Sequence, residues 1–254
     1  MNTRPRIIPT LLIEDKGLVK TINFSKSRYL GDPINAVKIF NDKGVDELCI
    51  LDIRATLEKR GPDFEYLEDI ASEAFVPLSY GGGITTIEEI KRLFYIGYEK
   101  VIINTEFIKN PELIRDASKF AGSQSIVVSI DVKTEFLGRR NCYIKSGTEK
   151  IKINPIELAK MAEEYGAGEI LLNSITKDGT MSGFDLDLIK KVSGSVSIPV
   201  IACGGAKDIN DLKLALKDGK ADAVAAGSMF VYYGKQKAVL INYLEEKEIE
   251  KLNE

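Results

Sequence analysis

The chain has 254 residues, with 35 basic and 38 acidic side chains and no histidine or tryptophan. That length suits one large α/β domain or two small ones, and the slightly negative balance speaks against a general nucleic-acid binder. Without histidine, Ser-His-Asp and Cys-His catalysis and every His-ligated metal site are excluded, so acid–base work falls to carboxylates, Lys, Tyr or Cys.

Taken in order, apolar β-branched runs alternate with helix-period segments eight times. The strands fall at 6–13, 47–53, 77–80, 100–104, 125–131, 169–174, 199–202 and 223–226. Their runs are continuous rather than strictly alternating, as in parallel strands buried on both faces. Helices are expected at 33–43, 86–96, 111–120, 155–165 and 208–217. Thr85-x-x-Glu88 supplies one with a capping box, and Pro33 and Pro155 sit where a first helical turn accepts proline. The stretch from Lys20 to Pro33 is long for a strand-to-helix loop and reads either as a lid carrying a phosphate-binding lysine or as a solvated loop. The tail from Val239 to Leu252 has Leu240, Tyr243, Leu244 and Ile249 at helical spacing and is read as the last barrel helix.

Two other features place the protein. Cys49, Cys142 and Cys203 lie in or near predicted strands and read as reduced core residues. Near the start, Arg4, Arg6, Glu14 and Asp15 interrupt a short apolar run, which is neither a signal peptide nor a membrane span. The expectation is a soluble cytoplasmic protein without membrane or nucleic-acid partners, needing no cofactor or metal. No linker-like stretch separates its halves, so a single domain over 1–254 is expected.

The chain also repeats itself. Pro33 matches Pro155, Gly44 Gly166, Glu47 Glu169, Ile53 Ile175, Gly82-Gly83 Gly204-Gly205, and Ile87 Ile209, every pair 122 residues apart. The first strands align at an offset of 119, which pairs Leu12 with Asp131. Eight β/α units in two similar halves have the size and rhythm of a (β/α)8 TIM barrel; a doubly wound open sheet is the alternative.

In a barrel, chemistry sits at the C-terminal strand ends. Those ends carry Leu12, Asp52, Gly82-Gly83, Asn104-Thr105, Asp131, Asp178-Gly179-Thr180, Gly204-Gly205 and Gly227-Ser228. Gly82-Gly83 with Asn104-Thr105, and Gly204-Gly205 with Gly227-Ser228, form two anion pockets able to bridge a small substrate phosphorylated at both ends. The bland alternative is that glycines and small hydroxyls only permit tight loops.

The stretches Gly31-Asp32-Pro33, Leu51-Asp52-Ile53, Gly81-Gly82-Gly83-Ile84, Ile103-Asn104-Thr105, Asp178-Gly179-Thr180 and Cys203-Gly204-Gly205-Ala206 resemble the cyclase subunit family of imidazole-glycerol-phosphate synthase. The resemblance covers nearly the whole chain. It implies a half-barrel duplication, a bis-phosphorylated substrate, and a glutaminase docked on the N-terminal barrel face that sends ammonia through the barrel. It makes Lys20 the loop lysine that binds phosphate, and Arg6, Glu47, Lys100 and Glu169 the ammonia gate, although such a ring could equally be structural. The family's catalytic pair is an aspartate at the end of strand one and another at the end of strand five. Asp131 matches the second, whereas Leu12 stands at the first.

That substitution is similar to a paralogous branch, the glycosyl amidation-associated proteins. The first expectation is therefore an ammonia-conducting synthase-type subunit that feeds a separate sugar amidotransferase in lipopolysaccharide or other surface-polysaccharide biosynthesis. The alternative is the cyclase subunit of imidazole-glycerol-phosphate synthase, a lyase of histidine biosynthesis. A third is a non-catalytic phosphosugar-binding scaffold.

Overall fold

The structure, a computed structural model, describes residues 4–234 and 236–252. Eight parallel strands form its centre: β1 (Arg6–Glu14), β2 (Leu48–Asp52), β3 (Leu78–Gly81), β4 (Lys100–Ile103), β5 (Ile126–Thr134), β6 (Glu169–Ser174), β7 (Val200–Cys203) and β8 (Ala223–Ala226). Each pairs with the next, and β8 pairs with β1 through Arg6–Pro9 against Ala223–Ala226, which closes the barrel. Helices α1 (Pro33–Asp42), α2 (Phe64–Ser72), α3 (Ile87–Tyr95), α4 (Glu112–Ala121), α5 (Pro155–Glu164), α6 (Leu186–Ser193) and α7 (Ile209–Lys217) connect them. The (β/α)8 reading holds.

Closure explains the continuous apolar runs. One face of each strand, Ile7, Leu11, Leu48 and Ile50 among them, packs outward in the large core shared with the helices. The other face fills the lumen with a separate cluster that includes Ile8, Cys49, Ile102, Val127, Leu171 and Ile201. Both faces are apolar because both are buried. All three cysteines are buried and free; burial pushes the Cys49 and Cys142 thiols up to about 12, which leaves them unreactive at neutral pH.

The duplication is deeper in the backbone than in the side chains. Asp15 and Leu137, Asn23 and Lys145, Phe24 and Ser146, and Lys59 and Met181 are all non-glycine residues with positive φ, and all are 122 positions apart. Such residues are uncommon, so their recurrence marks one backbone trace used twice under different side chains.

Several elements differ from expectation. The capping box lies one residue later: Thr86 caps α3, and Glu89, not Glu88, reaches back to the Thr85 and Thr86 amides. β1 and β5 outrun the barrel to Glu14 and Thr134 because each continues into an antiparallel partner, Gly17–Lys20 and Arg140–Ile144 respectively. The stretch from Lys20 to Pro33 is built on a hairpin, Gly17–Lys20 paired with Arg28–Gly31, whose tip is 21–27. The tail is not a continuous helix. Ala238–Val239 pairs with Tyr232–Tyr233, and helix α8 spans only Glu246–Glu250. Tertiary bonds hold the intervening chain extended: Leu240 N donates to Val231 O, Asn242 N to Phe230 O, and the Tyr243 hydroxyl to Ile7 O and Asp46. Among the described residues no helix is long and apolar enough to cross a membrane.

Candidate functional site

A cavity of about 640 Å³ opens at the C-terminal strand ends. Inward-facing residues alternate up β1 as Arg6, Ile8, Thr10 and Leu12, and up β5 as Val127, Ser129 and Asp131, so Leu12 and Asp131 both line this mouth. Asp131 is 8% exposed and accepts a 3.2 Å hydrogen bond from the Ser129 hydroxyl. Burial pushes its carboxyl up to about 7; Ser129 works against this and the nearby Asp178 adds to it. Such a carboxyl can take or give a proton near neutral pH. At the matching position Leu12 can do neither.

The two predicted anion pockets are both in this wall, and they differ in charge. In the first, Gly82 and Gly83 face Asn104 and Thr105, where β4 turns into a short helix, Thr105–Lys109. Its side chains are tied down: Asn104 Nδ2 donates to Ser129 O, and Thr105 Oγ1 accepts from Lys145 N at 2.9 Å. In the second, Gly204 and Gly205 adjoin Gly227 and Ser228, where another short helix begins. Gly204 is required there: its φ is +90°, and a Cβ would come 2.7 Å from Asn173 Oδ1.

Lys20 belongs to this second pocket. It is 6% exposed, its Nζ donates to Thr10 O at 2.6 Å, and a Cβ on Gly227 would collide with that same Nζ. Burial lowers its pKa, while Asp178 pulls the other way. A buried cation whose one hydrogen bond among the described residues goes to a carbonyl is well suited to receive an anion. Thr10 Oγ1 and Asn173 Oδ1, also in the cavity wall, are buried without a partner among the described residues.

At the opposite end of the lumen the four predicted gate residues meet in a closed ring of alternating charge. Arg6 contacts Glu47 at 3.2 Å and Glu169 at 2.6 Å, and Lys100 contacts the same two carboxylates at 3.2 and 2.9 Å. Burial raises the Glu47 pKa despite the pull of Lys100 and Arg6. Above the ring lies the apolar lumen cluster, and above that the mouth.

Of the predicted site residues, Lys20, Gly82, Gly83, Asn104, Thr105, Asp131, Asp178, Gly179, Gly204, Gly205, Gly227 and Ser228 all line the cavity. Asp52 does too, but its carboxylate is occupied, accepting from the Arg54 and Ala55 amides and from both Arg60 Nη atoms. It shapes the loop after β2 rather than offering a free ligand. Thr180 falls outside the cavity wall; its hydroxyl bonds Lys177 O and Ser182 Oγ inside its own turn. Sequence reasoning overlooked Thr10, Ser129 and Arg60. The first two could have been found from the two-residue period that places Thr10 below Leu12 and Ser129 below Asp131.

Comparison with known proteins supplies a family. The profile described as "Histidine biosynthesis protein" matches residues 6–237. A Leptospira interrogans protein provisionally named imidazole glycerol phosphate synthase subunit HisF is 49% identical over 250 residues, 98% of each chain. A Pseudomonas aeruginosa protein provisionally named subunit hisF2 of the same synthase is 48% identical over 240 residues, 94% of this chain and 96% of that one. The imidazole glycerol phosphate synthase subunit HisF of Alkaliphilus metalliredigens is 41% identical over 227 residues, 89% and 90% of the two chains.

Proposed function

The chain belongs to the histidine biosynthesis protein family, and from that premise we propose that it is the barrel subunit of a glutamine-dependent complex of the imidazole glycerol phosphate synthase type. Its mouth binds a small substrate by two phosphates, and a glutaminase on the N-terminal face supplies ammonia through the floor. The carrying observation is the two-ended lumen: a floor of four paired charges, an apolar column, and a mouth with two glycine turns around Asp131. Ammonia crosses such a column more readily than an ion, because it carries no charge to desolvate.

The names of the relatives favour the cyclase reading, which the sequence alone ranked second, over the delivery of ammonia to a separate sugar amidotransferase. One observation keeps that other reading in play. Leu12 occupies the position opposite Asp131 where a second proton carrier is needed for paired acid–base chemistry. On the cyclase reading Asp131 works without a carboxylate at position 12, in a slow enzyme; on the other the mouth releases ammonia to a further protein.

The deciding experiment measures formation of imidazole glycerol phosphate with free ammonia for the wild type and Leu12→Asp. A slow but measurable wild type, accelerated by about tenfold to a hundredfold in Leu12→Asp, is expected for a cyclase missing one partner of an acid–base pair. A wild-type rate unchanged in Leu12→Asp would remove position 12 from the chemistry. No product from either protein would favour the amidotransferase reading.

Phosphate binding is a separate expectation. Lys20→Met should weaken the second pocket for inorganic phosphate by roughly 10- to 100-fold, the usual effect of losing a charge-assisted hydrogen bond. Calorimetric titration with phosphate measures it, and equal affinity in the variant would take Lys20 out of the pocket.

A further inference from the structure

The hairpins that follow β1 and β5 each reach across to the other half of the barrel. In the first, Asn23 N donates to Asp178 O at 2.9 Å, and Asn23 Nδ2 donates to Ile175 O and Thr176 O. In the second, the Ser146 hydroxyl donates to Ile53 O at 2.8 Å. Ile53 and Ile175 are equivalent positions of the repeat, so the two straps exchange contacts between halves. Both carry consecutive left-handed non-glycine residues, Asn23-Phe24 and Lys145-Ser146, a conformation that persists only while its surroundings hold it.

Where the straps meet, the symmetry breaks. Phe24 seats on Gly147: a Cβ there would lie 2.9 Å from Phe24 Cδ2 and 3.4 Å from Ile175 Cδ1. The residue equivalent to Phe24 is Ser146, whose hydroxyl stops at Ile53 O, so this contact is made once. Each strap is also fixed to one anion pocket. Lys145 N donates to Thr105 Oγ1 in the first pocket. The first strap continues directly from Lys20 of the second, and Thr21 Oγ1 donates to Asp178 at 3.3 Å. A path therefore runs from Thr105 to Lys145, along the second strap to Gly147, across to Phe24, and through the adjoining Asn23 to Asp178.

We propose that Phe24 is a positioning residue that, seated on Gly147, couples the two anion pockets, so that an anion held in one strengthens the hold on a second anion in the other. The inference rests on reading both pockets as phosphate sites. Two phosphates in one mouth repel, so positive coupling cannot come from their charges and has to pass through the straps. An anion in the first pocket steadies Thr105 and with it the second strap; the Phe24 seat is then preformed, and so is the approach to Lys20.

The test is titration of the 15N-labelled protein with inorganic phosphate, in which the Gly82-Gly83 amides report one pocket and the Gly204-Gly205 amides the other. In the wild type both curves should be steeper than single-site binding and should saturate together. Phe24→Ala should leave two independent hyperbolic curves, with half-saturation raised about fivefold, a usual coupling strength. Gly147→Ala, which both crowds the ring and strains a backbone φ of +77°, should also lose the steepness, and Phe24→Leu should restore most of it. Independent curves in the wild type, or steep curves surviving in Phe24→Ala, would overturn the coupling and leave the phosphate sites standing. No phosphate-dependent shift in either pocket would overturn the phosphate reading and the coupling with it.

Discussion

Replacing Lys100 with Ala is expected to destabilise the protein by about 3 kcal/mol at pH 8, the cost of leaving buried charge without its partner. Lys100 Nζ touches both Glu47 and Glu169 from its side of the floor, at 3.2 and 2.9 Å. Without it, Arg6 alone faces two buried carboxylates. Burial already holds the Glu47 pKa above its ordinary value while both cations oppose it, so loss of Lys100 raises it further. A raised carboxyl binds its proton in the folded state more readily than in the unfolded one, so the penalty is full at high pH and fades as pH falls and the group protonates. Urea unfolding at pH 8 and pH 5 measures this, with Lys100→Met controlling for the packing of the aliphatic stem. Equal destabilisation at both pH values would mean that packing, not charge, closes the floor. If the proposed ammonia route is correct, the same variants in complex with a glutaminase should couple glutamine hydrolysis to product less well; unchanged coupling would leave the ring structural.

Asp131→Asn is expected to move stability and activity in opposite directions. The Asp131 carboxyl sits at about 7 in the folded protein because burial disfavours its charged form, against about 3.9 in an unfolded chain. Between those values the native state holds the extra proton, so stability falls as pH rises from about 4 to about 7 and the penalty is full above that. Asparagine has nearly the same shape and no charge. The variant should therefore show a flatter pH dependence over this interval and gain on the order of 2 kcal/mol at pH 8, allowing for relaxation around the charge. Any cyclase activity should fall by at least about 100-fold, because the mouth loses its proton carrier. Denaturant midpoints across pH 4 to 8, read beside the rate, make the test. A wild type and variant with parallel pH profiles would show that Asp131 is not held near neutrality.

Much of this site is legible in the sequence because it depends on short-range order. The two-residue period of a strand decides that Leu12 and Asp131 point into the lumen. Chain direction decides that Arg6, Lys100 and Glu169 begin their strands while Gly82, Asn104, Gly204 and Gly227 follow theirs. The 122-residue repeat then pairs the glycine turns without knowledge of any contact. Those features fix which end of the barrel each residue occupies.

The tertiary structure decided what lies across the barrel from what. That the four floor charges alternate in one ring follows from closure of β8 on β1, which no local pattern contains. The same holds for the burial of Lys20 beneath Gly227, for Thr180 turning away into its own loop, and for the straps that bond carbonyls of the opposite half. The tail departs from its helical spacing for a related reason: backbone bonds to Val231 and Phe230 outweigh a marginal local preference. Periodicity reports the face a residue presents to its neighbours along the chain, whereas these partners are set by hydrogen bonds and packing between segments far apart in sequence, or by the shape of the surface on which a short segment lands.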